Sequence, residues 1–232
     1  MEEWLHMKIY DISQEVFSCK VFPGDPAPQR NILCSMEDGE FYNLTAFHMC
    51  AHNGTHVDAP YHFVRDGKTI DEMGLEPFVG MAYVAEHKGI VSAEDAKKIL
   101  CNAFKVHKEC PWLSDREHEW KQSASQLGYE TKQTETDFSG IRILIKGNAE
   151  VSLEAAEVFA RAGIALLGNE SQTVGPEDAP MAVHLVLLKA GVILLEGIRL
   201  EHVPEGVYLL NAAPLNLGGA DGAPCRAVLI SL

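Results

Sequence analysis

One short stretch of the chain, residues 52–62, concentrates side chains that bind metal ions. Three histidines and an aspartate occupy even-numbered positions there: His52, His56, Asp58 and His62. Imidazole and carboxylate ligands together suit zinc, manganese or iron. An extended chain would direct all four side chains to one face, but spread over roughly 33 Å at about 3.3 Å per residue. The chain must therefore bend, and the segment is predicted to be a strand end that folds into a metal-binding loop.

Two other structures of this stretch have to be weighed. A helix would place positions 48, 52 and 56 on one face, since they are spaced by one turn. Glycine, proline and β-branched residues oppose that helix, and they occupy positions 54, 55, 57 and 60. A solvated polar loop without a metal is the alternative that the spacing alone leaves open.

The composition limits the classes of partner. The chain has 232 residues, is 47% hydrophobic, and carries a formal net charge of −14. This length and apolar content predict one domain with a sizeable core. The negative charge argues against a nucleic-acid partner, whose phosphates would be repelled. A small-molecule substrate is compatible with it, because a bound divalent ion reverses the local potential.

The cysteines and the apolar runs indicate a cytoplasmic protein. The six cysteines include no Cys-x-x-Cys pair, and a chain of this length needs no disulfides for stability. The first residues are acidic and lack the apolar core of a signal peptide. No apolar run reaches the roughly 18 residues that span a bilayer, so no membrane partner is expected.

The pattern of apolar segments predicts an α/β fold with a mixed sheet. Strands are predicted at residues 8–12, 80–86, 141–145, 164–167, 192–195, 207–210 and 227–230, and those at 141–145, 164–167 and 192–195 are predicted to be buried. Helices are predicted at residues 92–100, 152–163 and 180–190. Residues 102–137 are polar and charged, and we expect them to be an insertion or lid. The glycine-rich run 218–222 lacks the strand-to-helix setting of a nucleotide site, and it is predicted to be a tight turn that can lie near the metals.

Two residues far downstream are candidates to complete a metal site. His184 lies in an otherwise apolar helical segment, and Glu196 follows a predicted buried strand. A buried carboxylate is costly unless it is paired or bound to a metal. Taken singly, His184 can also be a hydrogen-bonded core residue, and Glu196 can face solvent.

These motifs together resemble the metal-dependent cyclase family, which includes bacterial kynurenine formamidases and isatin hydrolases. The resemblance covers nearly the whole chain outside residues 102–137. It is carried by residues 11–13, 22–25, 52–63, 163–168, 203–208, 213–215 and 221–228, with His184 and Glu196. The block from 52 to 63 is its most specific part.

The resemblance implies a swivelling β/β/α domain with peripheral helices, usually a homodimer, that holds two zinc ions or, alternatively, manganese. The positions that match metal ligands are His52, His56, Asp58, His184 and Glu196. Asp58 and Glu196 match ligands that can bridge two ions. His62 matches a proton-transferring histidine, and Phe22 matches an aromatic position, usually Trp, that lines the substrate pocket.

The activity that the resemblance implies is hydrolysis of a small aryl-formamide or cyclic amide, such as N-formylkynurenine, by a metal-bound hydroxide. Isatin-type ring opening, a metal-dependent cyclase or dehydratase, and a non-catalytic metal-binding or ligand-binding protein are the alternatives. The chain departs from the formamidase pattern at Phe22, at residues 168–176 and in the insertion. These positions belong to the expected pocket or lid, so they bear on the substrate and leave the ligand set unchanged.

Overall fold

The computed structural model describes residues 7–109 and 140–231. The strands in these residues are β1 (Lys8–Asp11), β2 (Gln29–Cys34), β3 (Leu44–His48), β4 (His56–Asp58), β5 (Val79–Glu86), β6 (Gly89–Val91), β7 (Arg142–Lys146), β8 (Ala149–Val151), β9 (Leu166–Asn169), β10 (Ile193–Glu196), β11 (Gly206–Asn211), β12 (Gly222–Pro224) and β13 (Val228–Ser231). The α-helices are α1 (Ala93–Glu109), α2 (Leu153–Ala162) and α3 (Met181–Lys189).

Nine of these strands form one mixed sheet, in the order β1-β13-β11-β5-β7-β9-β10-β4-β12. The central strands β5, β7, β9 and β10 are parallel, and the strands on both flanks are antiparallel. Parallel neighbours need a crossover connection, and α2 and α3 provide it for the last two parallel pairs. The predicted α/β class with a mixed sheet and peripheral helices is confirmed.

The central strands are apolar throughout because both of their faces are covered. On β7, Ile143 packs with Phe159 of α2 in one core, while the adjacent Leu144 belongs to the core on the other face. The second core also takes Val57 from β4 and Leu229 from β13, strands near opposite ends of the sheet order. The sheet therefore curls around this second core.

The second helix begins and ends at residues that the sequence marks clearly. The Ser152 side chain accepts a hydrogen bond from the Ala155 amide, which satisfies one of the free N–H groups of the first turn. Gly163 ends the helix in the left-handed conformation, at φ 69°. The strand that follows starts at Leu166, two residues later than the apolar run at 164–167 predicts.

Strands β2 and β3 form a separate two-stranded hairpin that stands apart from the main sheet. Most of its residues are exposed, including large apolar side chains such as Ile32 and Phe47. An isolated hairpin has no core of its own and is marginally stable in water. This hairpin therefore presents an apolar surface that the described chain leaves uncovered.

The predicted helix at 92–100 and the predicted insertion at 102–137 fall where the described residues end. The helix predicted at 92–100 extends to Glu109 as α1, into the segment expected to be an insertion. The rest of that segment, up to residue 137, lies outside the described residues. Within the described residues, no helix combines the length and the apolar character that crossing a membrane requires.

Candidate metal centre

The metal-binding motif is organised around the very short strand β4, which lies between β10 and β12. His56 and Asp58 stand at its two ends, and the strand pairs antiparallel with β10. In that register Glu196, the last residue of β10, lies opposite His56, and Leu194 lies opposite Asp58. Sheet pairing therefore brings a carboxylate at position 196 beside a motif located far earlier in the chain.

Turns on both sides of β4 bring the remaining histidines back to the strand. Gly54 has a φ of 65°, a left-handed conformation that glycine adopts without strain, and it turns the chain between His52 and the strand. Its amide donates to the Lys20 carbonyl at 3.2 Å, which anchors the turn. Pro60 then opens a 3₁₀ turn that ends at His62.

The sequence predicts a strand end that folds into a metal-binding loop, and the structure matches this only in part. β4 leads into the turn that ends at His62, but another turn precedes the strand, and His56 and Asp58 lie on the strand itself. The reason is tertiary: β4 forms ladders with both β10 and β12, whereas the earlier β3 pairs with β2 only.

His184 reaches the site from helix α3. Its Nδ1 donates to the Pro180 carbonyl at 2.9 Å, one turn earlier in the chain. This hydrogen bond leaves Nε2 to face the carboxylates, 3.1 Å from Glu196 Oε1 and 3.4 Å from Asp58 Oδ2. A histidine held in this way by its second nitrogen has the tautomer and orientation of a metal ligand.

The histidines of the motif are held in the same manner. His56 Nδ1 donates to the Gly54 carbonyl at 3.0 Å, and its Nε2 lies 3.5 Å from Asp58 Oδ1. His52 uses the opposite nitrogens: its Nε2 lies 2.9 Å from Asp221 Oδ2, and its Nδ1 lies 2.9 Å from Asp58 Oδ1. All three histidines thus point one ring nitrogen at the same pair of buried carboxylates.

The two carboxylates decide whether these residues fit a metal ion. Asp58 is 1% exposed and Glu196 is 2% exposed, and Asp58 Oδ2 accepts no hydrogen bond. A buried carboxylate oxygen without a donor is costly, and a cation would satisfy it. Ligand atoms within 4.8 Å of one another fall into three groups in the described residues: His52, His56, Asp58; His52, His62, Asp221; and Asp58, His184, Glu196. The residues therefore fit divalent metal ions, with Asp58 common to the first and third groups.

The carboxylates control the protonation of the histidines around them. Burial lowers the pKa of His52, but Asp221 and Asp58 outweigh this effect and raise the pKa to about 11. Burial likewise lowers the pKa of His184, and Asp58 with Glu196 raises it to about 10. The carboxylates require positive charge beside them, which either protons on the histidines or a bound cation can supply.

The converse holds for the carboxylates themselves. Burial raises the pKa of Asp58, but the neighbouring His184 and His52 side chains hold it well below its ordinary value. For Glu196, burial and the charge of Asp58 raise the pKa, and His184 with His56 lowers it more strongly. Both groups are therefore anionic and available as ligands at neutral pH.

His62 lies beside the ligand cluster, nearer to solvent. Its side chain is 26% exposed, and its ring centroid lies 4.0 Å from that of His52 and 6.2 Å from that of His184. Its Nδ1 lies 2.9 Å from Asp221 Oδ2. The structure thus brings together all six histidines and carboxylates that the sequence singled out.

Sequence reasoning missed Asp221, which lies in the run 218–222 that was predicted only as a tight turn. Hydrogen bonds from His52 and His62 lower the pKa of its carboxyl group well below the ordinary value. The available signal was its place at the start of the segment 221–228, one of those that carry the family resemblance.

Phe22 lies outside the cluster, in the partly buried loop before β2. The anchoring carbonyl of Lys20 is two residues away, so this loop borders the turn at Gly54. The aromatic contacts of the cluster come from Phe63, whose ring centroid lies 4.8 Å from that of His184 and 4.5 Å from that of His62.

Comparison with known proteins identifies the family to which this chain belongs. Residues 10–176 match the cyclase family model. A kynurenine formamidase of Salinibacter ruber is 31% identical over 96% of this chain and 97% of its own length. A kynurenine formamidase of Erythrobacter litoralis is 29% identical over 100% of this chain and 98% of its own.

Solved structures share the fold. A predicted metal-dependent hydrolase from Bacillus stearothermophilus superposes with a TM-score of 0.70 at 24% identity, over 97% of this chain and 98% of the other. Isatin hydrolase A from Labrenzia aggregata superposes with a TM-score of 0.71 at 18% identity, over 97% of this chain and 93% of the other. The family model matches most of this chain, and relatives at about 30% identity align with nearly all of it. This chain therefore belongs to the cyclase family.

Proposed function

We propose that this chain is a metal-dependent hydrolase that cleaves a non-peptide C–N bond in a small aryl-formamide or related amide. N-formylkynurenine is the leading substrate, because the full-length relatives at about 30% identity are kynurenine formamidases. The observation that carries the proposal is the position of His62, a partly exposed histidine at the rim of a buried cluster of metal-binding groups. A protein that only stores or senses a metal needs the cluster but has no use for this additional histidine.

The proposed ligands are His52, His56 and Asp58 for one ion, and His184 and Glu196 with Asp58 for a second. When bound, divalent ions would supply Lewis-acid chemistry, polarising the substrate carbonyl and lowering the pKa of a bound water. Zinc is the proposed metal because histidine nitrogen and carboxylate oxygen are its usual ligands, and manganese is the alternative.

The side chains of the protein would handle the proton. With Nδ1 held by Asp221, His62 keeps its Nε2 available for proton transfer. From there it can deliver a proton to the leaving nitrogen when the amide bond breaks. Phe22 and Phe63 are proposed to supply the apolar surface for the aryl ring, since both lie on segments that border the cluster.

Isatin-type ring opening is the second candidate. It requires the same attack on an amide carbonyl, and the chain departs from the formamidase pattern at Phe22 and at residues 168–176. Residues 173 and 174 are buried, and the Val174 amide donates to Glu196 Oε1 at 2.8 Å, so these departures lie next to the ligands. A cyclase or dehydratase would use the same donor set.

We further propose a homodimer in the cytoplasm. Support for the dimer is the β2–β3 hairpin, whose apolar side chains are uncovered in the described chain; Phe41 is 98% exposed at its tip and Phe47 is 57% exposed. A second copy would offer the same patch, which is what a twofold interface requires. Support for the compartment is that the five cysteines in the described residues are free thiols.

The pH dependence of metal binding follows from the raised pKa values of His52 and His184. Both histidines are in the positively charged, protonated form at neutral pH in the metal-free protein. Zinc must therefore displace protons when it binds, and the apparent affinity of the protein for zinc should rise with pH. Titration calorimetry at about pH 6 and about pH 8, in buffers of different ionisation enthalpy, measures both the affinity and the protons released. An affinity that is the same at both pH values, with no proton release, would contradict the proposed ligand set.

Replacing His62 should separate catalysis from metal binding. We expect His62→Ala to lower kcat by roughly 10²–10⁴-fold, the usual contribution of a general acid–base group, with metal content unchanged. The assay uses N-formylkynurenine and isatin, with zinc and with manganese added. His202→Ala is the matched control, since that histidine is 87% exposed and outside the cluster.

The outcomes of this assay are distinct. Hydrolysis of one substrate by the wild type, and its loss in His62→Ala only, supports the proposal and identifies the substrate class. Loss of bound metal in His62→Ala would show that His62 is a ligand. No turnover of either substrate by the metal-loaded wild type would refute the proposed activity.

Polar substitutions on the hairpin should dissociate the dimer. Sedimentation analysis should give the wild type twice the chain mass of 25.5 kDa, whereas Phe41→Ser with Phe47→Ser should sediment as a monomer. Leu75→Ser is the control, because Leu75 is an exposed apolar residue (61%, close to the 57% of Phe47) outside the hairpin. A monomeric wild type, or a hairpin variant that stays dimeric, would refute this interface.

A further inference from the structure

We propose that Asp221 is a positioning residue that couples the metal site to the proton-transferring histidine through one carboxylate oxygen. The proposal rests on the proposed function and adds to it a residue outside the five ligand positions and His62. Asp221 Oδ2 lies 2.9 Å from His52 Nε2 and 2.9 Å from His62 Nδ1. A single oxygen atom therefore contacts both histidines.

The chemistry of this contact sets the tautomers of both rings. A carboxylate oxygen can only accept hydrogen bonds, so both ring nitrogens that face it must carry hydrogen. For His52, the other nitrogen is Nδ1, which points at Asp58 and would bind the metal once its own proton is displaced. For His62, it leaves Nε2 free to take up and release a proton. The same oxygen thus prepares one histidine as a ligand and the other as an acid–base group.

The backbone around Asp221 is fixed to the strand that carries the ligands. The Ala59 amide donates to the Asp221 carbonyl at 2.9 Å, and Gly222 pairs with Asp58 across the β12–β4 ladder. A Cβ atom at Gly222 would lie 2.7 Å from His52 Cε1 and 2.7 Å from the Val57 carbonyl. Only glycine allows this approach, so the chain at 221–222 is shaped to seat the His52 ring.

The exposure of the three side chains agrees with Asp221 connecting the less exposed metal site to the more exposed His62. The side chain of His52 is 12% exposed, that of His62 is 26% exposed, and that of Asp221 is 41% exposed. His62 is therefore held at the rim by a group that also holds the less exposed His52.

The test compares Asp221→Ala, which removes the acceptor, with Asp221→Asn, which keeps an amide oxygen but loses the charge. Asp66→Asn is the matched control, an exposed aspartate in the loop just after His62. Each zinc-loaded protein is labelled with ¹⁵N-histidine, and the His62 signals are assigned by their loss in a His62→Gln variant. The NMR spectra report which ring nitrogen carries hydrogen, and they need no substrate.

In the wild type and in Asp66→Asn, His62 should carry hydrogen on Nδ1. In Asp221→Ala it should shift to the Nε2–H form, zinc affinity should fall by about 10–100-fold, and kcat should fall by about 10²-fold or more with KM nearly unchanged. Asp221→Asn should keep the Nδ1–H tautomer and recover part of kcat.

Two results would overturn the proposal. One is a His62 tautomer in Asp221→Ala that matches the wild type. The other is a shifted tautomer with wild-type kcat. Should Asp221→Ala fail to fold, an Asp221→Asn protein with wild-type zinc affinity and full kcat would also refute it, because the carboxylate charge would then have no role. Failure of the proposed substrates is a separate outcome, since the tautomer and the zinc affinity are measured without them.

Discussion

The structure depends on placing two carboxylates, Asp58 and Glu196, side by side in its interior. At 1% and 2% exposure, neither can be solvated by water, and their negative charges repel each other. Three histidines aim a ring nitrogen at this pair, and the second nitrogen of each is held by a carbonyl or carboxylate. This arrangement is unfavourable without positive charge at its centre, and that requirement links the fold to metal binding.

The mixed sheet provides this arrangement by changing strand direction next to the site. Four parallel strands end with β10, whose last residue is Glu196, and the antiparallel β4 is paired beside it. The register then sets His56 opposite Glu196, while helix α3 brings His184 over the same edge. Residues 12 positions apart and 140 positions apart in sequence (196 − 184 and 196 − 56) thus meet at one point.

Local spacing made part of this site predictable. The residues from 52 to 62 lie within one segment, and glycine and proline in it show that the chain must bend. The α/β class was also predictable, because β7, β9 and β10 are buried on both faces and appear as continuous apolar runs. The sequence around His184 and Glu196 does not decide whether either residue binds a metal. The family resemblance is what identified them as matching metal ligands.

The parts that the sequence did not predict depend on tertiary contacts. Asp221 meets His62 across 159 positions, and nothing in a glycine-rich turn indicates that its aspartate faces two histidines. Residues 56–58 are a strand only because β10 and β12 pair with them, a dependence that their own three-residue length does not reveal. The exposure of the apolar side chains on the hairpin could likewise not be predicted from the sequence, because alternation in a strand normally indicates that one face is buried.

The measurement that tests this account most directly is the metal content of the protein purified without chelators and loaded with zinc. Because Asp58 belongs to both ligand groups, the wild type should bind two ions per chain, and Asp58→Asn should lose at least one of them. Asp66→Asn, which removes an exposed carboxylate from the neighbouring loop, should keep both. Two ions in Asp58→Asn, or no bound metal in the wild type, would contradict the claim that the buried carboxylates exist to hold metal ions.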